Sequence, residues 1–142
     1  LFVFSLFSML SFAQSDPALK ISGLKYCYTR KDSVGFDLRS PEKTTTCWVT
    51  IAVERKISGE WNEIWGDVLQ YNFSKTTTIT RINGSMSVSW QPYRIPKLKS
   101  VGDSEQIIKN GEYRFKILWG ADPSNLDKLT LSHAFTIKNK VR

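Results

Sequence analysis

The sequence predicts an all-β sandwich built as one domain. Three observations carry this. Apolar and polar residues alternate with a period of two over several short stretches, the pattern of a strand with one buried side. Turn-forming residues separate those stretches at close intervals. No stretch has a helical period, apart from a possible single turn over residues 104–109. The 142 residues suit one domain with a core of its own. With 41% hydrophobic and 23% charged residues the chain is globular rather than disordered, and 13% aromatics suit strands.

The first segment is the exception to the strand pattern. Residues 1–14 are uncharged, apolar through Phe12, and end in Ser11-Phe12-Ala13-Gln14. The run is shorter than the roughly 20 residues a spanning helix needs. Small residues stand at the two positions a signal peptidase reads. The expectation is a signal peptide over 1–13, shortened at its start because it lacks Met and a basic beginning. A short linker over 14–19 and one domain over 20–142 follow. The competing reading is a buried first strand, which the lack of alternation disfavours. The mature chain is expected to be exported (periplasmic, cell-surface or extracellular) and, with no second long apolar stretch, to have no membrane span.

The strands follow in order. Residues 21–29 form the first, with Leu24, Tyr26 and Tyr28 alternating with Lys25 and Cys27. Val34, Phe36 and Leu38 share a face of the second, which Ser40-Pro41 ends. The third is the clearest: Cys47, Val49, Ile51 and Val53 face one way, and Trp48, Thr50, Ala52 and Glu54 the other. Ser58-Gly59 turns it into a hairpin with 61–65. Asn83-Gly84, a pair suited to a type I′ turn, predicts a second hairpin between 76–82 and 85–90. On its second arm Met86, Val88 and Trp90 share a face. The stretch 91–102, with Pro92, Pro96 and several lysines, reads as a connection or a broken edge strand. The last strands are 112–119, where Tyr113, Phe115 and Ile117 alternate with Arg114 and Lys116, and 128–137.

Two pieces carry a resemblance: the stretch from Val53-Glu54 through Gly59-Glu60-Trp61-Asn62-Glu63-Ile64, and Asn110-Gly111-Glu112-Tyr113-Arg114-Phe115. In these the chain resembles the immunoglobulin and fibronectin type III group, and more narrowly small exported bacterial proteins of that fold. The resemblance implies an immunoglobulin-like β-sandwich of about seven to nine antiparallel strands. It also implies that Tyr113, beginning a late strand just after a turn glycine, returns its hydroxyl to the backbone upstream. It carries fold and not function.

The chemistry of enzymes is poorly represented. His133 is the single histidine, on the alternation of Leu129 and Leu131, and reads as a packed or partly exposed strand residue. No nucleophile-elbow pattern occurs. One His and two Cys 20 positions apart fit no zinc spacing. Asp32-Ser33 and the loop 122–127 offer oxygens but not the spacing of a calcium loop. Glu54, Glu60, Glu63 and Asp67 read as a charged rim about one hairpin. The expectation is no catalytic residue, no metal and no cofactor. The formal charge of +7 is scattered along the chain, and with export this argues against a nucleic-acid partner. Cys27 and Cys47 leave two readings open in an oxidising compartment: a disulfide between adjacent strands, or two separate thiols.

The tryptophans direct the functional expectation. Trp48 faces away from the apolar stripe of its strand, and Trp61 and Trp65 follow in the paired strand. The chain is expected to be a binding or adhesion module whose aromatic surface, Trp48, Trp61 and Trp65 with Glu54, Glu60 and Glu63, recognises a protein or a glycan. The alternative is a proteinase inhibitor acting through the loop 91–103, with Arg94, Lys97 and Lys99.

Overall fold

The computed structural model describes residues 18–41, 46–65, 68, 78–92 and 109–138. The signal-peptide segment, the turn at 104–109 before Lys109, and Arg94, Lys97 and Lys99 lie outside them. The described elements are ten strands: β1 (Lys20–Ser22), β2 (Cys27–Thr29), β3 (Val34–Arg39), β4 (Thr46–Ile57), β5 (Glu60–Trp65), β6 (Thr80–Asn83), β7 (Ser85–Trp90), β8 (Gly111–Gly120), β9 (Lys128–Leu131) and β10 (Phe135–Lys138). No α-helix occurs among the described residues.

The strands form two sheets. The smaller has the order β1-β3-β7. The larger has the order β2-β10-β8-β4-β5, with β6 also beside β4 and β9 also beside β8. The sheets face each other across a core of aromatic rings: Phe36 from β3 lies 4.7 Å from Phe115 of β8, and Trp90 from β7 lies 6.0 Å from the same ring. Val49, Ile51, Val53, Phe115 and Ile117, the expected core, are fully buried. Val34, Phe36, Leu38, Val88 and Trp90 are buried from the other side, and Met86 packs against them half-buried.

Tyr113 occupies the corner expected of it. Its ring is buried and its hydroxyl donates to the carbonyl oxygen of Lys109, four residues upstream. Burial pushes its phenol above the ordinary tyrosine range. The positive charges of Arg55 and Arg30 pull the other way. The hairpin at Ser58-Gly59 also forms. Both residues have positive φ, 52° and 82°, and Ile57 stands opposite Glu60.

Three expectations on strands are corrected. The stretch 21–29 is two strands rather than one. The chain turns at Gly23, with φ +82°, leaving β1 antiparallel to β3 in one sheet and β2 parallel to β10 in the other. The sheets are therefore not wholly antiparallel, and ten strands exceed the expected number. Leu24 and Tyr28 are buried but Tyr26, between them, is 71% exposed. Asn83-Gly84 makes no hairpin either: β6 pairs with β4 and β7 with β3, so the chain crosses between sheets at Gly84, φ +88°. Ser40 secures the crossing, its N–H and hydroxyl both donating to the Gly84 carbonyl. Lastly, 128–137 is broken at 132–134 into β9 and β10.

Candidate functional site: the outer face of the larger sheet

In β4 every second residue from Cys47 to Val53 enters the core, so Trp48, Thr50, Ala52 and Glu54 point outward. Register extends this outer face. Thr50 is opposite Leu118 of β8, and Leu118 is opposite Leu129 of β9. Ala52 is opposite Lys116, which is opposite Leu131. The alternation that buries Phe115, Ile117 and Trp119 puts Leu118 out. Leu118, Leu129 and Leu131 are 37%, 55% and 40% exposed, and half-buried Trp48 is the diagonal neighbour of Leu118. These residues form one apolar patch running from β4 across β8 to β9. Sequence reasoning missed the leucines because an alternating strand does not declare which of its faces is covered.

One end of the same face is charged. Arg114 Nε donates to Glu54 Oε1 at 2.8 Å, and its guanidinium lies 4.3 Å from the centre of the Trp61 ring. The pair and the ring cover Glu54, which is only 8% exposed. Lys116 reaches Glu63 at 3.6 Å, and Lys56 reaches Glu112 at 3.8 Å. Glu54 and Glu63 are thus matched to cations of this chain, which sets them apart from unpaired rim acids.

The predicted aromatic cluster is only partly assembled. Trp48 and Trp61 share the outer face, but Trp61 stands opposite Lys56, eight positions along β4 from Trp48. At about 3.3 Å per residue that puts the two roughly 26 Å apart. Both are half-buried, Trp61 under Arg114. Trp65 stands opposite Val53 after a bulge in β5; its side chain lies outside what the structure describes. Trp90 and Trp119 are core residues. Trp119 Nε1 donates to Thr130 Oγ1 at 2.9 Å, and Lys128 lies 4.9 Å from its ring centre.

The smaller sheet offers a contrast. Its outer face carries Lys20 and Ser22 from β1, Gly35, Asp37 and Arg39 from β3, and Ser85, Ser87 and Ser89 from β7. No large apolar residue stands there among the described residues. Ser87 Oγ donates to Asp37 Oδ1 at 2.9 Å.

The disulfide reading is corrected. Cys27 lies in β2 and Cys47 in β4, with β10 and β8 between them. Three strand spacings amount to roughly 14 Å, beyond the roughly 7 Å that a bridge spans between Cα atoms. Both are free thiols, Cys27 exposed and Cys47 buried. Burial raises the Cys47 thiol above its ordinary range, and the charge of Lys128 offsets part of this.

The carboxylates considered for calcium serve their own loops. Asp32 Oδ2 accepts from the N–H of Thr29 at 2.7 Å. Asp122 Oδ1 accepts from both the N–H and the hydroxyl of Ser124, and these bonds hold its carboxyl below the usual range. His133 lies in the break between β9 and β10 rather than in a strand. It is exposed and stacks on Tyr26 with ring centres 4.1 Å apart.

No family model matches the chain, and no curated protein matches it in sequence. Some solved structures resemble it distantly. A β-glucosidase from Listeria innocua, in complex with gluconolactone, overlaps 88% of this chain with 16% of its own, at 9% identity and a TM-score of 0.48. The class 5 fimbriae chaperone CfaA overlaps 84% of this chain with 55% of its own, at 16% identity and a TM-score of 0.46. The β-glucosidase EmGH1 from Erythrobacter marinus overlaps 84% with 16%, at 11% identity and a TM-score of 0.43. The chain spans less than two thirds of each of these proteins, and likenesses this distant carry no function to it.

Proposed function

We propose that this chain is an exported, non-catalytic binding module of the immunoglobulin-like kind, which recognises a protein partner through the outer face of its larger sheet. The fold part rests on the first strand being split between the sheets, with β2 parallel to β10, and on the Tyr113 corner. Export rests on the apolar segment 1–13 alone.

One observation carries the functional part. Leu118 and Leu129 face each other in the open beside Trp48 and Leu131, while the outer face of the smaller sheet is polar among the described residues. Apolar residues ringed by polar ones are the composition of a protein interface. The ion pairs of Glu54, Glu63 and Glu112 form the rim at one end. A glycan platform has less support, since Trp48 and Trp61 stand too far apart to stack on one ring. The proteinase-inhibitor reading keeps only its support from sequence.

A photo-crosslinking residue in place of Leu129, in cells that make the chain, tests the proposal; the same residue in place of Ser87 is the control. The expected result is a discrete adduct from position 129 that is absent from position 87 and lost with Leu118→Lys. Equal capture from both positions, or adducts indifferent to Leu118→Lys, overturns it. Retention on a glycan array that depends on Trp61 and not on Leu118 also overturns it, in favour of a sugar.

A further inference from the structure

The open edge of β9 borders that face: Leu129 and Leu131 give their side chains to the patch, whereas their main-chain groups concern the edge. Upstream of β2 the chain leaves the larger sheet at Gly23 and continues as β1 on the smaller one. Where β2 flanks β10, nothing equivalent flanks β9: it pairs with β8 on one side and with no strand on the other among the described residues.

Antiparallel alternation determines which groups face the open side. Ser132 donates its N–H to the carbonyl of Phe115 at 3.0 Å. Phe115 and Ser132 are thus a hydrogen-bonded pair, and so, two residues further at each step, are Ile117 with Thr130 and Trp119 with Lys128. The N–H and C=O groups of Leu129 and Leu131 therefore point away from β8, toward the open edge. Two donors and two acceptors of the main chain stand there.

A groove of about 320 Å³ runs beside this edge. Leu19, Ile21 and Leu24 line it together with Thr130, Leu131 and His133. His133 stands at the end nearer β10, with Nε2 3.0 Å from the Leu24 carbonyl oxygen and its ring on Tyr26. The surroundings are basic. Lys20 and Lys25 adjoin the lining residues in sequence, and neither is in an ion pair among the described residues; the acid beside the groove is Asp37, opposite Ser22, which accepts from the Ser87 hydroxyl.

We propose that the β9 edge accepts an extended segment of another polypeptide as an added strand, with apolar residues at alternate positions entering the groove and acidic residues at its ends. An exposed sheet edge is a template for such pairing: main-chain bonds hold the segment, and pockets for every second side chain select it. The apolar lining requires the alternation, and Lys20 and Lys25 favour acidic ends.

The probe is an octapeptide of alternating Thr and Val with Asp at both ends. Its control has the same composition with the valines contiguous. The readout is amide hydrogen exchange in the full chain. The expected result is slower exchange at Leu129 and Leu131 with the alternating peptide and not with its control. Methylation of the peptide nitrogens that face β9 should weaken binding by about ten-fold, as loss of a hydrogen bond does at the upper end of its worth; methylation of the other set should not. These peptide variants leave the protein intact. The proposal is overturned by no protection at millimolar peptide, by equal protection from the control, or by indifference to which nitrogens are methylated. It is also overturned if both amides are already protected in the free chain. Concentration-dependent protection there would assign the edge to a second copy, and concentration-independent protection to the chain's own remainder.

Discussion

Leu118 and Leu129 stand directly opposite each other across β8 and β9 on the solvent side of the larger sheet. Leu118 is flanked in its strand by buried Ile117 and Trp119, and Leu129 by exposed Lys128 and half-buried Thr130. The pair lies outside the core, so its removal should cost the fold little. Leu118→Lys is expected to change unfolding free energy by no more than about 0.5 kcal/mol, as exposed substitutions do. Ile51→Ala, one position from the same face but fully buried, should cost about 2–5 kcal/mol. Urea unfolding of both variants checks this. A large loss from Leu118→Lys would mean that the patch is covered within the chain.

Arg114 is the partner on which Glu54 depends. Glu54 is nearly buried, and its carboxylate accepts the Arg114 Nε–H beneath the Trp61 ring. Arg114→Ala removes the donor and leaves the acid without this partner. A loss of about 1–3 kcal/mol is expected, the cost of an unsatisfied buried group. Replacing both residues by leucine should recover most of it, because two buried apolar groups leave no charge unmatched. A double-mutant cycle with Glu54→Leu measures the coupling. Additive single losses would show that the two do not act as a pair.

Much of this arrangement could be read in the sequence, and the omissions have a common origin. Period-two alternation marked β3, β4 and β8 because each has one face wholly in the core. The glycine before Tyr113 marked the corner. What alternation cannot tell is which sheet a strand joins. Gly84 supplies a positive φ whether the chain folds back on itself or crosses to the other sheet, and here it crosses. Gly23 does the same between β1 and β2, which is why Tyr26 is exposed while Leu24 and Tyr28 are buried. Leu129 and Leu131 alternate as a core strand would, yet their register with Lys116 and Leu118 puts them outside. The outward direction of Trp48 was legible, but its distance from Trp61 depends on register along β4.

The two thiols should differ sharply in reactivity. Cys27 is exposed on an outer strand, whereas Cys47 is buried with its thiol held protonated above the ordinary range. The thiolate is the reacting form. Alkylation of the native chain is expected to modify Cys27 readily and Cys47 only after unfolding. Mass spectrometry with and without denaturant distinguishes them. Recovery of the native chain with the two joined would contradict the sheet order.

Tyr113 provides a test of the corner in two parts. Tyr113→Phe removes the hydroxyl that donates to Lys109 and should cost about 0.5–1.5 kcal/mol near neutral pH, the net worth of one hydrogen bond. The second part is in alkali. The phenol is raised in the folded chain by burial, whereas in the unfolded chain it titrates near 10. Below that value it is neutral in both states, and its contribution to stability is fully present. Above it the unfolded chain releases the proton first, so the native state binds more protons and stability falls as pH rises. The loss continues until the pH passes the folded value. Tyr113→Phe abolishes this component. The variant's deficit should therefore narrow progressively above pH 10 in denaturant melts followed across the alkaline range. A deficit that stays constant through that range would show that the hydroxyl is not held as the structure places it.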